Sequence, residues 1–355
     1  MEIKKGVSAF KVAATYIGTI VGAGFATGQE VLQFFSKFGV MGIAGIFITT
    51  ILFIIFGYII MDLGGRLNAR SHIEIVKYSC GKFLGSAIDF IITFFLFGAL
   101  SAMIAGTGAL FAQQFNLSAF MGNILMAVIT AITVLSGIRG VINSISVVVP
   151  FLLAAVLGVS IFAVIASPPN IFAAVPQTAQ SGLIKNWLFA AVLYVSYNTV
   201  ISVAVLAPLG REAKNKKAIR NGAILGGAGL GIGSLMIYLA LSTNLAEISV
   251  LEVPMIYIAG QIAYALQLAY AVVLIAEVYT TAVGSLYGFI ARFTDISRNK
   301  AKGRIIVLGA SAAALIASQF GFSNLVKYLY PIVGYGGIVL LVCLVLAKFR
   351  KKPAK

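Results

Sequence analysis

The sequence predicts an all-α polytopic membrane protein, with ten transmembrane helices in a five-plus-five inverted repeat and with spans 1 and 6 discontinuous. Three observations predict it: a composition with no room for a soluble block, a glycine-rich acidic interruption inside the first apolar window, and a motif repeated at half the chain length. Of the 355 residues, 60% are hydrophobic and 10% charged, and the mean hydropathy is +1.03. That balance excludes an ordinary water-soluble domain.

Apolar windows of membrane-spanning length fall at about 8-36, 40-63, 84-114, 119-136, 143-166, 185-208, 218-243, 254-291, 303-320 and 325-347, numbered spans 1 to 10. No polar block between them is long enough for a separate domain, so the chain is one membrane unit. The net charge of +16 invites a nucleic-acid reading, but its distribution is topological. With the N-terminus in the cytoplasm, 23 of the 26 Lys and Arg residues fall on one side, and only Lys37, Lys185 and Lys327 fall on the other. The positive-inside rule therefore predicts a multi-pass protein with both termini cytoplasmic, whose partners are the lipid bilayer and a small-molecule solute, with no nucleic acid. Oligomeric state has no signature in the sequence.

Span 1 contains "GTIVGAGFATGQE", Gly18 to Glu30, where helix breakers and a carboxylate sit at a depth that lipid does not tolerate. Span 6 contains "LYVSYNTVIS", Leu193 to Ser202, a weaker polar interruption. Before spans 5 and 10 the chain reads G-x2-N-x6-P twice, as Gly140, Asn143 and Pro150 and as Gly321, Asn324 and Pro331, an offset of 181 residues. Such an echo marks an internal repeat. Residues 1-170 form the first repeat and 171-355 the second, and five spans per half set the two halves in opposite orientations. Interrupted backbone survives in a membrane only when it is buried in protein or lines a wet cavity. The two breaks are accordingly expected to bind something at the midplane.

"GTIVGAG" resembles the G-x-x-V-G-x-G segment of the bacterial leucine transporters in the neurotransmitter:sodium symporter family, and the wider amino acid-polyamine-organocation superfamily. "GAGFATGQEVLQFF" resembles the YkvI-like bacterial membrane proteins more closely still. The resemblance implies a bundle of spans 1, 2, 6 and 7 that rocks against a scaffold of spans 3, 4, 8 and 9, in the bacterial cytoplasmic membrane.

Carboxylates are the sharpest chemical signal. Glu30 in span 1 and Glu277 in span 8 lie well inside apolar windows with no interior Lys or Arg to neutralise them. Each must be protonated, solvated, or facing a cation, which makes both candidate coupling residues. Asp62 and Asp89, at span ends, read as capping or interfacial groups. In "AEVYTTAVGSLYG", Glu277, Thr280, Thr281 and Gly284 share one helix face, and their oxygens suit a hard cation. The leucine-transporter resemblance implies a sodium site made by the carbonyls of Gly18 and Val21 with Thr280 and Thr281, and a second sodium site lost because Phe25 stands where those transporters have Asn. A competing reading is that each Thr bonds only to its own helix. Sodium is the favoured coupling ion; the alternative is a proton carried by Glu30 and Glu277.

For the solute, the amides of Gly22, Ala23 and Gly24 start a half-helix, which attracts an anionic group. Phe25, Ser196, Tyr197 and Asn198 are expected around the same cavity. Gly98 belongs to a small-residue stripe on span 3 that reads first as close helix packing and second as space for substrate. His72, alone in a basic loop, reads as solvated. Cys80 and Cys343 make no disulfide framework, and no nucleophile–base or metal cluster suggests an enzyme or an organic cofactor. The expected function is a cation-coupled transporter of a small amino acid-like or amine solute. The rival is a nutrient-sensing subunit similar to those of spore germinant receptors.

Overall fold

The structure, a computed structural model, describes residues 6–69, 71–136, 138–172, 182–294 and 300–350, with side chains not described for 138–150 and 300. The side chains of Gly140, Asn143 and Pro150, and the charges on Lys4, Lys5, Arg70, Arg139, Arg298, Lys300, Lys351, Lys352 and Lys355, lie outside the described residues.

The described chain is helical throughout, with a single isolated bridge between Val7 and Ala213. Span 1 is broken as expected. Helix α1 (Ala9–Ile20) stops where Val21 turns extended (φ −70°, ψ 104°). Helix α2 (Ala23–Ala26) follows, and α3 (Gln29–Phe34) begins after Gly28, whose φ of +84° is a conformation that glycine alone adopts cheaply. Next come α4 (Val40–Leu67), α5 (His72–Phe115), α6 (Ala119–Leu135), α7 (Ile138–Ala166), α8 (Trp187–Glu212) and α9 (Lys216–Leu241). The rest are α10 (Leu245–Ile248), α11 (Pro254–Ile262), α12 (Tyr264–Ile290), α13 (Lys300–Ala317), α14 (Phe322–Asn324) and α15 (Tyr330–Lys348), the last two joined by a π turn over Leu325–Leu329.

Among the described residues, seven helices are long and apolar enough to cross a membrane, and Ala9–Ile20, Ala119–Leu135 and Phe151–Ala166 are shorter apolar helices. Two expectations about the spans are corrected. Span 6 is not discontinuous: α8 runs unbroken from Trp187 to Glu212, with even Pro208 inside it. Its polar residues bond sideways or backwards without opening the helix, Ser196 Oγ to the Gly334 carbonyl (2.5 Å) and Asn198 Nδ2 to the Tyr194 carbonyl (3.0 Å). The window of span 8 is two helices, because Pro254 starts α11 at its first turn and Ala263 is extended (φ −164°) before α12. One helix over that window would be about 57 Å long, nearly twice the bilayer core. The 44 residues of α5 likewise bend, at Gly81 (φ +74°), and start from a capping box of Ser71 and Glu74.

Two groups of helices flank the broken segment. In the first, α1, α4, α8 and α9 pack on one another. Gly64 of α4 lies against the Ala207 carbonyl of α8, and Gly210 of α8 against the Met61 carbonyl of α4, so neither position has space for a Cβ. The Tyr16 hydroxyl of α1 donates to the Phe53 carbonyl of α4 at 2.7 Å. In the second group α5, α6, α12 and α13 pack together, while α15 bridges to α8 and α5. These are the helices that the resemblance assigned to bundle and scaffold.

Candidate functional site

A cavity of about 800 Å³ lies between the two groups, walled by the α1–α2 break, α5, α8, α12 and Tyr330. Its wall residues Ala14, Thr15, Ala204, Val205 and Ala291 are exposed, so it opens at the end of the molecule where α1 begins. Its deep end is buried: Glu30 is 4% exposed and Glu277 3%.

The break sets the chemistry. The last turn of α1 and the first turn of α2 leave backbone carbonyls and amides without helical partners. Gly18, Val21, Gly22, Ala23 and Gly24 all reach the cavity wall. A Cβ at Gly22 would lie 3.8 Å from Thr281 Oγ1, so the break faces that hydroxyl directly. Thr281 donates to Glu277 Oε1 at 3.3 Å, and Glu277 Oε2 has no hydrogen-bond partner among the described residues. Thr280 also reaches the wall, but its hydroxyl donates at 3.0 Å to the Glu277 carbonyl of its own helix, the competing reading that the sequence raised. The proposed sodium-ligand set Gly18, Val21, Thr280 and Thr281 thus lines one cavity, with Glu277 beside it.

Glu30 folds back from α3 over the break. Its carboxyl sits against Gly24 so closely that a Cβ there would collide with it. Tyr194 donates to Glu30 Oε2 at 3.2 Å, and the Tyr197 hydroxyl faces the same carboxyl without completing a well-formed bond. Tyr197, Tyr330 and Phe95 form a ring cluster on the wall, with centroids 5.0 Å apart for Tyr197–Tyr330, 5.4 Å for Phe95–Tyr330 and 6.2 Å for Phe95–Tyr197. Asn198 lines the wall as expected.

Three expected solute contacts are elsewhere. Phe25 is buried with its ring end towards Gly233 of α9, away from the cavity. Ser196 is turned to α15 by its bond to Gly334. Gly98 is filled over by the Leu329 side chain, which makes it a packing residue. His72 is also not solvated: it is buried and reaches the cavity mouth, where Arg292 donates to its Nε2 at 2.6 Å and to Asp89 Oδ1 at 2.5 Å. Asp89 Oδ1 lies 3.3 Å from the same nitrogen, so His72 Nε2 accepts from the guanidinium in one tautomer and donates to the carboxylate in the other.

Beyond the buried deep end, past Glu30, the stretch from Leu251 to Met255 is tied to the surrounding helices. Gln29 Nε2 donates to the Leu251 carbonyl (2.5 Å), and Gln113 of α5 makes a reciprocal pair with Val253 (2.9 and 3.1 Å). The Met255 amide donates to the Thr27 carbonyl (3.1 Å), and the Phe322 and Ser323 amides donate to Glu252 Oε2 (2.9 and 3.2 Å). Burial pushes the Glu252 carboxyl above the usual carboxylate range, against the lowering effect of those two amides.

Among known proteins, no family model matches this chain. The membrane protein YkvI of Bacillus subtilis (strain 168) is 33% identical over 355 residues, 99% of both chains. YyaD of the same organism is 29% identical over 339 residues, 95% of this chain and 96% of its own. Solved structures that align with the fold include transporters. A Na+-coupled sialic acid symporter in a substrate-bound outward-open state aligns with a TM-score of 0.66 over 95% of this chain and 79% of its own, at 11% identity. MhsT in complex with L-phenylalanine gives 0.60 over 96% and 89%, at 14% identity. The inward-facing conformation of Mhp1 gives 0.59 over 97% and 76%, at 13% identity. The fold is therefore the leucine-transporter fold, and at this identity along its full length the chain belongs to the YkvI family of multi-pass membrane proteins.

Proposed function

We propose that the protein is a cation-coupled secondary transporter of a small amino acid-like or amine solute, working by alternating access around the broken span 1. In this reading the chain crosses the membrane ten times as two inverted halves, 1-170 and 171-355, with both termini in the cytoplasm. The observation that carries it is the convergence, on one cavity wall, of the α1–α2 break, the Thr281 hydroxyl and two buried carboxylates. Broken backbone at such a depth is costly, and here it borders a cavity where ion and solute could meet. Sodium is favoured as the coupling ion because hard oxygen donors face the break. The open mouth at the α1 end, with the Leu251–Met255 stretch closed, corresponds to a cytoplasm-facing state under the predicted topology.

Proton coupling is the second reading. Glu30 and Glu277 have no cationic partner among the described residues, so each could carry a proton through the cycle. The test is solute flux in proteoliposomes under imposed sodium or proton gradients, with Thr281→Val and Glu277→Gln beside the unmodified protein. Flux that follows sodium and is lost in Thr281→Val supports sodium symport; flux that ignores sodium and follows pH supports the proton. Solute binding with no flux under either gradient would discard transport in favour of a sensing subunit.

A further inference from the structure

The deep end of the cavity carries a charge pattern that selects among solutes. Glu30 and Glu277 both reach its wall, and both are buried. The cationic side chain on that wall, Arg292, stands at the mouth and is already held by Asp89 and His72. The amides that begin α2, where the sequence suggested a solute carboxylate, belong to a helix of only four residues. The protein's own Glu30 carboxyl lies against Gly24 in that first turn, so an incoming anion meets acceptor oxygens there, and a like charge whenever Glu30 is ionised. Beside Glu30 stand Phe95, Tyr197 and Tyr330, three packed rings whose faces favour a cation. The Tyr197 hydroxyl is a buried polar group left unpartnered at the same point.

We propose that the cavity takes an organic ammonium ion on a compact apolar body, with Glu30 as its counter-charge and Phe95, Tyr197 and Tyr330 as its walls, and that it rejects solutes bearing a free carboxylate. The proposal rests on the solute cavity of the preceding reading and narrows it from amino acid or amine to amine. Glu277, with Thr281 and the α1 carbonyls, is left to the coupling ion. An ammonium beside Glu30 supplies a neutralising charge and so offsets the cost of burying an ionised carboxylate.

The test is the thermal stability of the purified full-length protein with four probes: phenethylamine, choline, 3-phenylpropionate and L-phenylalanine. A ligand that binds only the folded state raises Tm with its concentration. The expected result is a concentration-dependent rise with phenethylamine or choline and none with the other two. Glu30→Gln should weaken the amine at least tenfold, and Phe95→Leu, which leaves the carboxylate in place, should weaken it severalfold. Tyr257→Phe, outside the cavity, serves as a folded control. The idea is overturned if L-phenylalanine or 3-phenylpropionate stabilises as well as the amines, if Glu30→Gln binds amine undiminished, or if no amine shifts Tm. Uptake separates this failure from that of the transport reading: zwitterion flux without amine flux discards only the ammonium, whereas amine binding without flux discards only transport.

Discussion

The Arg292 guanidinium at the end of α12 and the Asp89 carboxylate on α5 meet at 2.5 Å across the cavity mouth, 203 residues apart in sequence. The His72 ring closes the group from the other limb of α5, beyond the bend at Gly81. One charged contact thus fixes the distance between two helices of the scaffold exactly where the cavity opens.

Asp89→Asn should therefore lower stability by about 0.5–1.5 kcal/mol at low salt, between an exposed ion pair and a buried hydrogen bond to a charged group. Because Asp89 is 40% exposed, the loss should shrink in 1 M salt, where charges are screened beyond about 3 Å. Thermal unfolding of both proteins at the two ionic strengths checks this; an equal loss at both would mean that packing, and not charge, holds the mouth.

At Gly24 the prediction concerns a pair. Gly24→Ala pushes a methyl group into the Glu30 carboxyl and should cost about 1–3 kcal/mol, the range for overpacking a filled site. Adding Glu30→Ala removes the atoms it strikes. The double variant should be less destabilised than the sum of the singles, by more than about 0.5 kcal/mol. Strict additivity in chemical or thermal unfolding would show that the two residues do not touch.

Thr280 and Thr281 separate by what their hydroxyls already do. Thr281 faces the break through Gly22, whereas Thr280 is engaged by the Glu277 carbonyl. Stabilisation by sodium over potassium should vanish in Thr281→Val and fall by less than half in Thr280→Val. At sodium about 100-fold above its Kd the lost stabilisation would be about 2.7 kcal/mol. Equal loss in both variants would return the pair to one shared site.

Glu252 gives a pH dependence with a definite sign. Burial raises its carboxyl above the usual range in the folded protein, so the folded state holds a proton that the unfolded chain has already released. Its stabilising contribution is complete below the unfolded value and is lost as pH rises through the folded one. Stability should accordingly fall as pH climbs out of the ordinary carboxylate range, and Glu252→Gln, still able to accept from Phe322 and Ser323, should lack that decline. A Gln variant with the unaltered pH profile would sink the assignment.

How much of this was legible in the sequence follows from what each signal costs. Gly22 and Gly28 announced the break because glycine in a membrane helix needs a reason, and Glu30 and Glu277 announced the cavity because an unpaired carboxylate in lipid needs one too. Tyr194, Tyr330 and Phe95 gave no signal, since an aromatic ring in an apolar window looks the same whether it faces a core or a cavity. His72 lay in a loop, Asp89 at a span end and Arg292 just past one, and only the fold brings them together. The expected break in span 6 failed because Ser196 and Asn198 found carbonyl partners without leaving the helix, a sideways satisfaction that composition does not reveal.

The closed end of the cavity has a practical consequence. Between Leu251 and Met255, four of five residues hold Thr27, α3, α5 and α14 through separate bonds, so that end can open only if all of them release together. Val250, immediately before this stretch, is 79% exposed and forms a handle on it. Under the proposed alternating-access reading, a synthetic antibody fragment that grips Val250 and the backbone beside it would act as a conformational trap, holding that end shut.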